Sequence, residues 1–443
     1  MTSSSQSSVA STGLELTETN WIDSVVEAMY SVFGAQGHKL FPPGPLIPRG
    51  DTSTLYTTAS IQHWRDWVLS PSADSDTGRI GPQWCVRMTA LEKVGSSNFL
   101  TSFCLLSCLT RGRIEREKAL GLMIEVLDSR WGLAFERLAF VATAEGPEAP
   151  EDTASLKALD RLGVSRSRYT ARPRKWAHPF KPHGPAGPEL FVLFDITQTP
   201  CGPECGPLCG CGRFIHFWNL EFLENRRLIT GETETVQMPF LDSAGSIEWV
   251  VGAITRTNDL YNTPPFRRIL STARSLLTST NAFAAPDKIK IVCDHARTIA
   301  LALAAGVEPG AKKQGHVLRR LIRRSLAVLS SIDADPHVLP EIVAVATEAV
   351  RCASTSEPRS SVSPSALTTE IELFRTQLNK ARKVYESLLT ASDLSAESIF
   401  DLNSSFGAPW GVIRSWLQSD GVTINEARLA EIAGDNKLRS RGR

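Results

Sequence analysis

The stretch Cys201–Phe222, CGPECGPLCGCGRFIHFWNLEF, limits what this chain can fold into more than any other. Four cysteines, Cys201, Cys205, Cys209 and Cys211, stand among glycines and prolines that permit tight turns, and an apolar run beginning at Phe214 follows at once. A turn-rich knuckle therefore feeds a strand over Arg213–Phe222. That strand alternates only in part and carries Asn219 and Glu221 amid bulky groups, as expected where a sheet face lines a pocket.

The cysteine spacing is Cys-x3-Cys-x3-Cys-x-Cys, which is not the paired Cys-x2-Cys of common zinc ribbons. Four thiols in a dozen turn-forming residues of a reduced protein need a partner, and tetrahedral zinc is the simplest; the other reading is of thiols acting as small hydrophobes. Cys85, Cys104, Cys108, Cys293 and Cys352 read as core. The 9 cysteines form no secreted-style framework, and the opening MTSSSQSSVAST lacks a basic n-region and an apolar core. With no long apolar span and no membrane partner expected, the expected location is cytoplasmic. A formal net charge of +1 excludes a global field for nucleic acid, so any such binding must come from local patches.

At 443 residues, 42% hydrophobic and 21% charged, the chain has the composition of a soluble globular protein with two cores. Residues 1–13 read as a disordered Ser/Thr tail. Helical spacing of Ile22, Val25, Val26, Met29 and Val32 predicts a helix over Trp21–Phe33. Strands are expected at Leu55–Thr58, Trp84–Met88, Phe135–Thr143 and Leu190–Phe194, and a helix at Glu115–Leu127. Glu145–Asp152 reads as an exposed loop. This is an α+β pattern outside simple βαβ order. After Pro264-Pro265 only helices are expected: Phe266–Thr280, Lys288–Ala305, His316–Ile332, Leu339–Cys352 and Leu367–Leu389. The division is thus a tail, a mixed domain over 14–263 and a helical domain over 264–443, with Ala353–Ala366 as a flexible connection.

The order of glycine-proline turns, cysteines and a Trp-Asn strand resembles the alanyl-tRNA synthetases. His38–Ala59 looks like the first class II motif region, Gln83–Gly95 like the start of the second, and Leu241–Gly252 falls where the third belongs. The resemblance continues through Asp294-His295-Ala-Arg297 and His316–Arg324 to Phe406–Pro409, covering most of the chain. It implies a class II antiparallel-sheet domain followed by a helical tRNA-recognition domain, with ATP and magnesium as cofactors if the chain is active.

A class II site must stabilise charge developing at an α-phosphate, and a planar guanidinium matches phosphate oxygens in a way lysine does not. By the resemblance, Arg87 of Cys85-Val86-Arg87 is the residue for an α-phosphate or a substrate carboxylate. A surface strand arginine is the plain alternative. The rest of the second motif departs from the family, which follows with a second arginine, paired histidines and a Phe-Phe-Glu strand. Here Ser96, Ser97, Asn98, Phe99, Leu100, Thr101, Ser102, Phe103, Cys104 and Leu105 stand instead, and only Gly95 and Phe103 match. Where the third motif reads Asp-Thr-Gly-Met-Gly-Leu-Glu-Arg, this chain has Asp242 through Glu248 and then Trp249. Losing such a charge partner costs on the order of 2–5 kcal/mol. The amino-acid end is better kept. Asp242 matches the aspartate that pairs with the substrate's α-ammonium, Trp176 matches a tryptophan of the alanine pocket, and Trp218 and Asn219 match the strand flooring it. Ala244 replaces a glycine that keeps the pocket open, and Glu221 stands where the family has an apolar residue. Pointing inward, Glu221 suits a larger or cationic side chain; pointing outward, it is neutral to specificity. His178 and His183 are loop histidines that can approach the pocket or simply be solvated.

Arg319, Arg320, Arg323 and Arg324 fall on one helix face, with Lys312 and Lys313 just before: a basic stripe able to hold phosphates, or a solvated face. The family uses this region for the tRNA acceptor stem. Its two polar groups for the wobble pair of alanine tRNA are replaced by Ala311 and Ser404, so any RNA is expected to be selected differently. No editing domain is expected after the helical domain. Two functions compete. One is a pseudoenzyme that binds a small amino acid, tRNA or a protein partner without adenylation. The other is an active class II ligase with a changed substrate, using Arg87 and Arg213 or Arg256 as replacement cations.

Overall fold

The computed structural model describes residues 14–51, 53–70, 77–89, 91–95, 99–146, 150–177, 184–228, 232–277, 285–352 and 364–441. The tail 1–13, Ser96, Ser97, Asn98, His178 and His183 lie outside them. The chain divides into two compact units. One comprises 1–89, 102–268 and 351–358; the other comprises 90–101, 269–350 and 359–443.

The first unit is built on a nine-stranded sheet: β1 His38–Leu40, β2 Gly78–Val86, β3 Ser102–Arg111, β4 Leu138–Ala144, β5 Tyr169–Pro173, β6 Pro185–Ala186, β7 Glu189–Asp195, β8 Phe214–Arg227 and β9 Thr233–Ser246. Their order is β1-β2-β3-β9-β8-β7-β4-β5, with β6 on β8. The sheet is mixed. Its interior pairs are antiparallel, while β1 on β2 and β5 on β4 run parallel at the two edges. Helices α1 Trp21–Phe33, α2 Ile61–Leu69, α3 Arg116–Ile124, α4 Thr153–Arg161 and α5 Ile247–Ile254 pack with it. Leu55–Thr58, expected as a strand, is a bend, because Thr57 spends its amide on Leu46 and its hydroxyl on Pro45 rather than on a ladder.

The two long strands β8 and β9 decide which side chains meet. Trp218, Leu220 and Phe222 share one face and are fully buried. The indole of Trp218 donates to Ser243 Oγ at 2.8 Å and meets Trp131 edge-on at 5.4 Å; Trp131 in turn donates to the Val25 carbonyl of α1. A Cβ on Gly245 would stand 2.3 Å from Trp218 Cε3, so this face closes only over glycine. Asn219, Glu221 and Leu223 take the other face. Part of it is covered by Ile61, Trp64, Trp67 and Val68 of α2, which pack with Leu109, Leu223 and Phe240.

The second unit is helical: α6 Pro264–Leu276, which crosses the division, then α7 Pro286–Ala304, α8 Lys313–Ser330, α9 Leu339–Cys352, α10 Pro364–Thr390, α11 Ala396–Ser404, α12 Trp410–Ser419 and α13 Glu426–Arg441. Asp294, His295 and Arg297 are buried within it, where Asp294 accepts from Thr101 N at 2.9 Å and from His295 Nδ1 at 3.0 Å. Among the described residues no helix is long and apolar enough to cross a membrane.

Candidate functional site

Cross-strand register sets three carboxylates side by side. Glu189 of β7 lies opposite Glu221 of β8, and Glu221 lies opposite Asp242 of β9. Directly opposed residues on adjacent strands keep their Cβ atoms roughly 4.5–5.5 Å apart and on one face. The next row on that face is Phe191, Asn219, Ala244 and Ser107, and Ser107 bonds Ser60 Oγ at 2.9 Å just before α2. The acidic row therefore adjoins the apolar patch under α2.

The three acids are answered unequally. Glu189 accepts from Asn219 Nδ2 at 3.0 Å and pairs with Arg174 at 3.0 Å, whose guanidinium lies 3.8 Å over the Phe191 ring. His216 Nε2 bonds Asn219 Oδ1, which turns the Asn219 amide nitrogen toward Glu189. Neither Glu221 nor Asp242 makes a hydrogen bond or ion pair among the described residues, and Asp242 Oδ1 is enclosed without a partner. Burial pushes the Asp242 carboxyl up to about 7. Burial first, then the neighbouring Asp242 and Glu189, raise Glu221 well above the usual carboxylate range, against the milder pull of Arg87 and Arg174. Glu221 thus stands on the face it shares with Asp242, the inward alternative.

Arg87 sits just beyond the end of β2 and within electrostatic range of Glu221. Its Nε and Nη2 donate to the Thr58 carbonyl at 3.1 and 2.6 Å, and its guanidinium lies 4.9 Å over the Phe103 ring. Trp176 precedes the Ala177–Gly187 bridge, and its Nε1 is buried with no partner among the described residues. Trp218, expected in the pocket floor, instead lies on the opposite face, because strand alternation separates it from Asn219; it supports the strand from beneath. Glu248, next to Trp249, accepts from Cys104 N at 3.1 Å through both oxygens and so ties α5 to β3. Sequence reasoning missed Glu189 and Arg174. The Arg172-Pro-Arg174 run before Trp176 was a weak signal for the second, and nothing local marked the first.

The knuckle is a separate cluster. The Sγ atoms of Cys201, Cys205, Cys209 and Cys211 lie within 4.8 Å of one another, with Cys201 to Cys209 at 3.5 Å and Cys205 to Cys211 at 3.8 Å. Zinc–sulfur bonds of about 2.3 Å at tetrahedral angles need sulfurs about 3.8 Å apart, so the donor set fits a zinc ion. Its base is anchored by Asp195. This buried carboxylate accepts from Arg213 at 2.6 Å and Arg168 at 2.7 Å, which hold it down to about 2 although burial opposes them. A hollow of about 420 Å³ opens beside it, lined among others by Cys201, Arg213, Arg256 and Asn258. Arg213 lies eight residues along the chain from Glu221, roughly 26 Å at about 3.3 Å per strand residue. Arg213 and Arg256 both line that hollow, apart from the strand positions of the acidic row.

In the helical unit the stripe carries its own counter-charge. Arg319 and Arg323 both pair with Glu370 of α10, at 3.1 and 3.4 Å, and Arg323 also reaches Gln377. Arg324 is half-buried and donates to the Leu91 carbonyl at 3.0 Å. Lys312, Lys313 and Arg320 are exposed.

The frame is α+β, a mixed sheet whose interior strands are antiparallel, and the class it belongs to is that of the class II synthetase domains. The chain belongs to the class II (A) tRNA synthetases, whose family model matches residues 25–443. It is 25% identical over 420 residues to the alanine–tRNA ligase of Treponema pallidum, covering 91% of this chain and 69% of that protein. It is 27% identical over 328 residues to that of Treponema denticola, covering 72% and 54%, and 24% identical over 423 residues to that of Borrelia hermsii, covering 93% and 71%. The chain is thus alanyl-tRNA synthetase-like over most of its length, and it spans about half to seven-tenths of these relatives.

Because Asp242 keeps its proton up to about pH 7 when folded but sheds it near 3.8 otherwise, the folded state binds more protons across that window. Stability against urea therefore falls as pH rises from about 4 to about 7, and Asp242→Asn flattens that fall. Identical pH slopes for the two proteins would contradict the assignment.

Proposed function

We propose that this chain is a diverged alanyl-tRNA synthetase-like protein that binds a small amino acid on the β8–β9 face and RNA through phosphate contacts, with alanine adenylation lost or weak. The observation that carries the reading is the asymmetry of the site. The ammonium-holding carboxylate Asp242 is present and enclosed, while the phosphate side has Trp249 in place of an arginine and Arg87 already donating to Thr58. An indole supplies no charge to a triphosphate, and Arg87 already spends Nε and Nη2 on the Thr58 carbonyl, leaving Nη1 as its unengaged edge among the described residues.

A second reading, an active ATP- and magnesium-dependent ligase with a changed substrate, is favoured by Glu221. This acid on the binding face alters what the pocket accepts without touching the phosphate side.

For RNA, the exposed cations Lys312, Lys313 and Arg320 are the phosphate contacts, while Glu370 holds Arg319 and Arg323 and Leu91 holds Arg324. Zinc at the cysteine knuckle would fix the turn that launches β8, through thiolates of Cys201, Cys205, Cys209 and Cys211. The Cys205 thiol is already drawn down to about 7 by a backbone hydrogen bond at Cys201 and by Arg213.

ATP–pyrophosphate exchange with alanine should fall at least a hundredfold below that of an ordinary alanine–tRNA ligase, and Trp249→Arg alone should not restore it; robust exchange with alanine overturns the reading. Metal analysis of purified protein should find about one zinc per chain, lost in Cys205→Ser with Cys209→Ser; four freely titratable thiols and no metal contradict the zinc site. Binding to tRNA should show a salt slope of about 3, with Arg320→Ala removing roughly one unit for every tRNA alike. A strong preference for alanine tRNA contradicts this non-specific reading, and so does no binding at low salt.

A further inference from the structure

The acidic row carries more negative charge than one amino acid needs. A single α-ammonium is satisfied by one carboxylate, and Asp242 supplies it. Glu189 is fully engaged by Asn219 and Arg174. Glu221 remains: it lies opposite Asp242 on the next strand, facing the same way, without a hydrogen bond or ion pair among the described residues. Asp242 Oδ1 is itself enclosed with no partner among the described residues, a group waiting for a polar occupant.

Two desolvated acids on neighbouring strands are costly unless a proton or a cation answers each. The nearby arginines do not serve, since Arg174 is paired with Glu189 and Arg87 is turned to the Thr58 carbonyl. A ligand bearing two ammonium groups answers both. We propose that the site takes a diamino acid, Asp242 holding its α-ammonium and Glu221 the ammonium of its side chain. The choice of substrate class rests on the amino-acid-binding reading above. Adjacent strands hold the two Cβ atoms roughly 4.5–5.5 Å apart, so the second ammonium belongs close to the first. Short diamino acids are accordingly the fitting probes. Ala244, larger than the glycine it replaces in the resemblance, narrows the approach from the next row and leaves Glu221 as the feature that discriminates.

The test is isothermal titration of the full chain with 2,4-diaminobutyrate, lysine and alanine at pH 7.5, without ATP, for the unaltered protein and for Glu221→Val and Glu221→Gln. The expected result is at least tenfold tighter binding of 2,4-diaminobutyrate than of alanine, falling to parity or reversing in Glu221→Val and reduced in Glu221→Gln. Diamino-acid binding should also release protons, because the ligand's second ammonium displaces the proton on the pair; the release should shrink as pH rises, and Glu221→Gln should reduce it. Alanine binding as tightly as the diamino acid, or a preference surviving in Glu221→Val, overturns this inference and leaves the amino-acid-binding reading standing. Binding of none of the three overturns both. A thermal midpoint for each variant at or above that of the unaltered protein shows that the acid was removed without unfolding the sheet.

Discussion

Two carboxylates that no hydrogen bond or ion pair among the described residues answers, on the two longest strands of the sheet, are the constraint on which the rest of this structure depends. Antiparallel register forces Glu221 and Asp242 into neighbouring positions, and strand alternation leaves them no other face. The opposite face is closed by Trp218, Trp131 and Gly245, packed so that even one methyl group would collide. The acids therefore cannot move beneath the sheet, and the α2 tryptophans limit how much water reaches them from above. Their protons are held far above the ordinary range as a consequence.

The phosphate side of the same cleft is the reverse case. A class II domain handles a triphosphate with several arginines, and this chain keeps Arg87 with its guanidinium already committed to a carbonyl. Several other arginines of the sheet unit have local tasks. Arg213 and Arg168 hold Asp195 under the cysteine knuckle, and Arg174 neutralises Glu189. The carboxylate row thus lies open to a cation, while the arginines around it are engaged by neighbouring protein groups.

Much of this was legible in the sequence. The helices Trp21–Phe33 and Leu339–Cys352 have the expected bounds, and the alternation after the cysteine knuckle announced β8. The motif order gave the class II frame, because a run of unusual residues in fixed sequence is far more specific than periodicity. What the sequence hid were relations between strands. Trp218 and Asn219 are adjacent in the chain yet lie on opposite sides of the sheet. The facing of Glu221 depends on a pairing with residues 21 positions away. Glu370, which pairs with Arg319 and Arg323, is 51 residues from the first of them, so the stripe looked free of acids. Leu55–Thr58 is a bend because Thr57 bonds Leu46 and Pro45 and meets β2 only through one carbonyl, at Val86, while Thr58 bonds the Gln62 side chain.

The most direct measurement of the central claim is a carboxyl carbon-13 NMR titration of protein labelled at aspartate and glutamate, with Asp242→Asn and Glu221→Gln to assign the two signals. The account predicts an Asp242 midpoint near pH 7, with Glu221 also far above the usual carboxylate range and each shifting when the other is neutralised. Midpoints near 4 for both, unmoved by the paired substitution, would mean that the two acids are solvated and independent, and would contradict it.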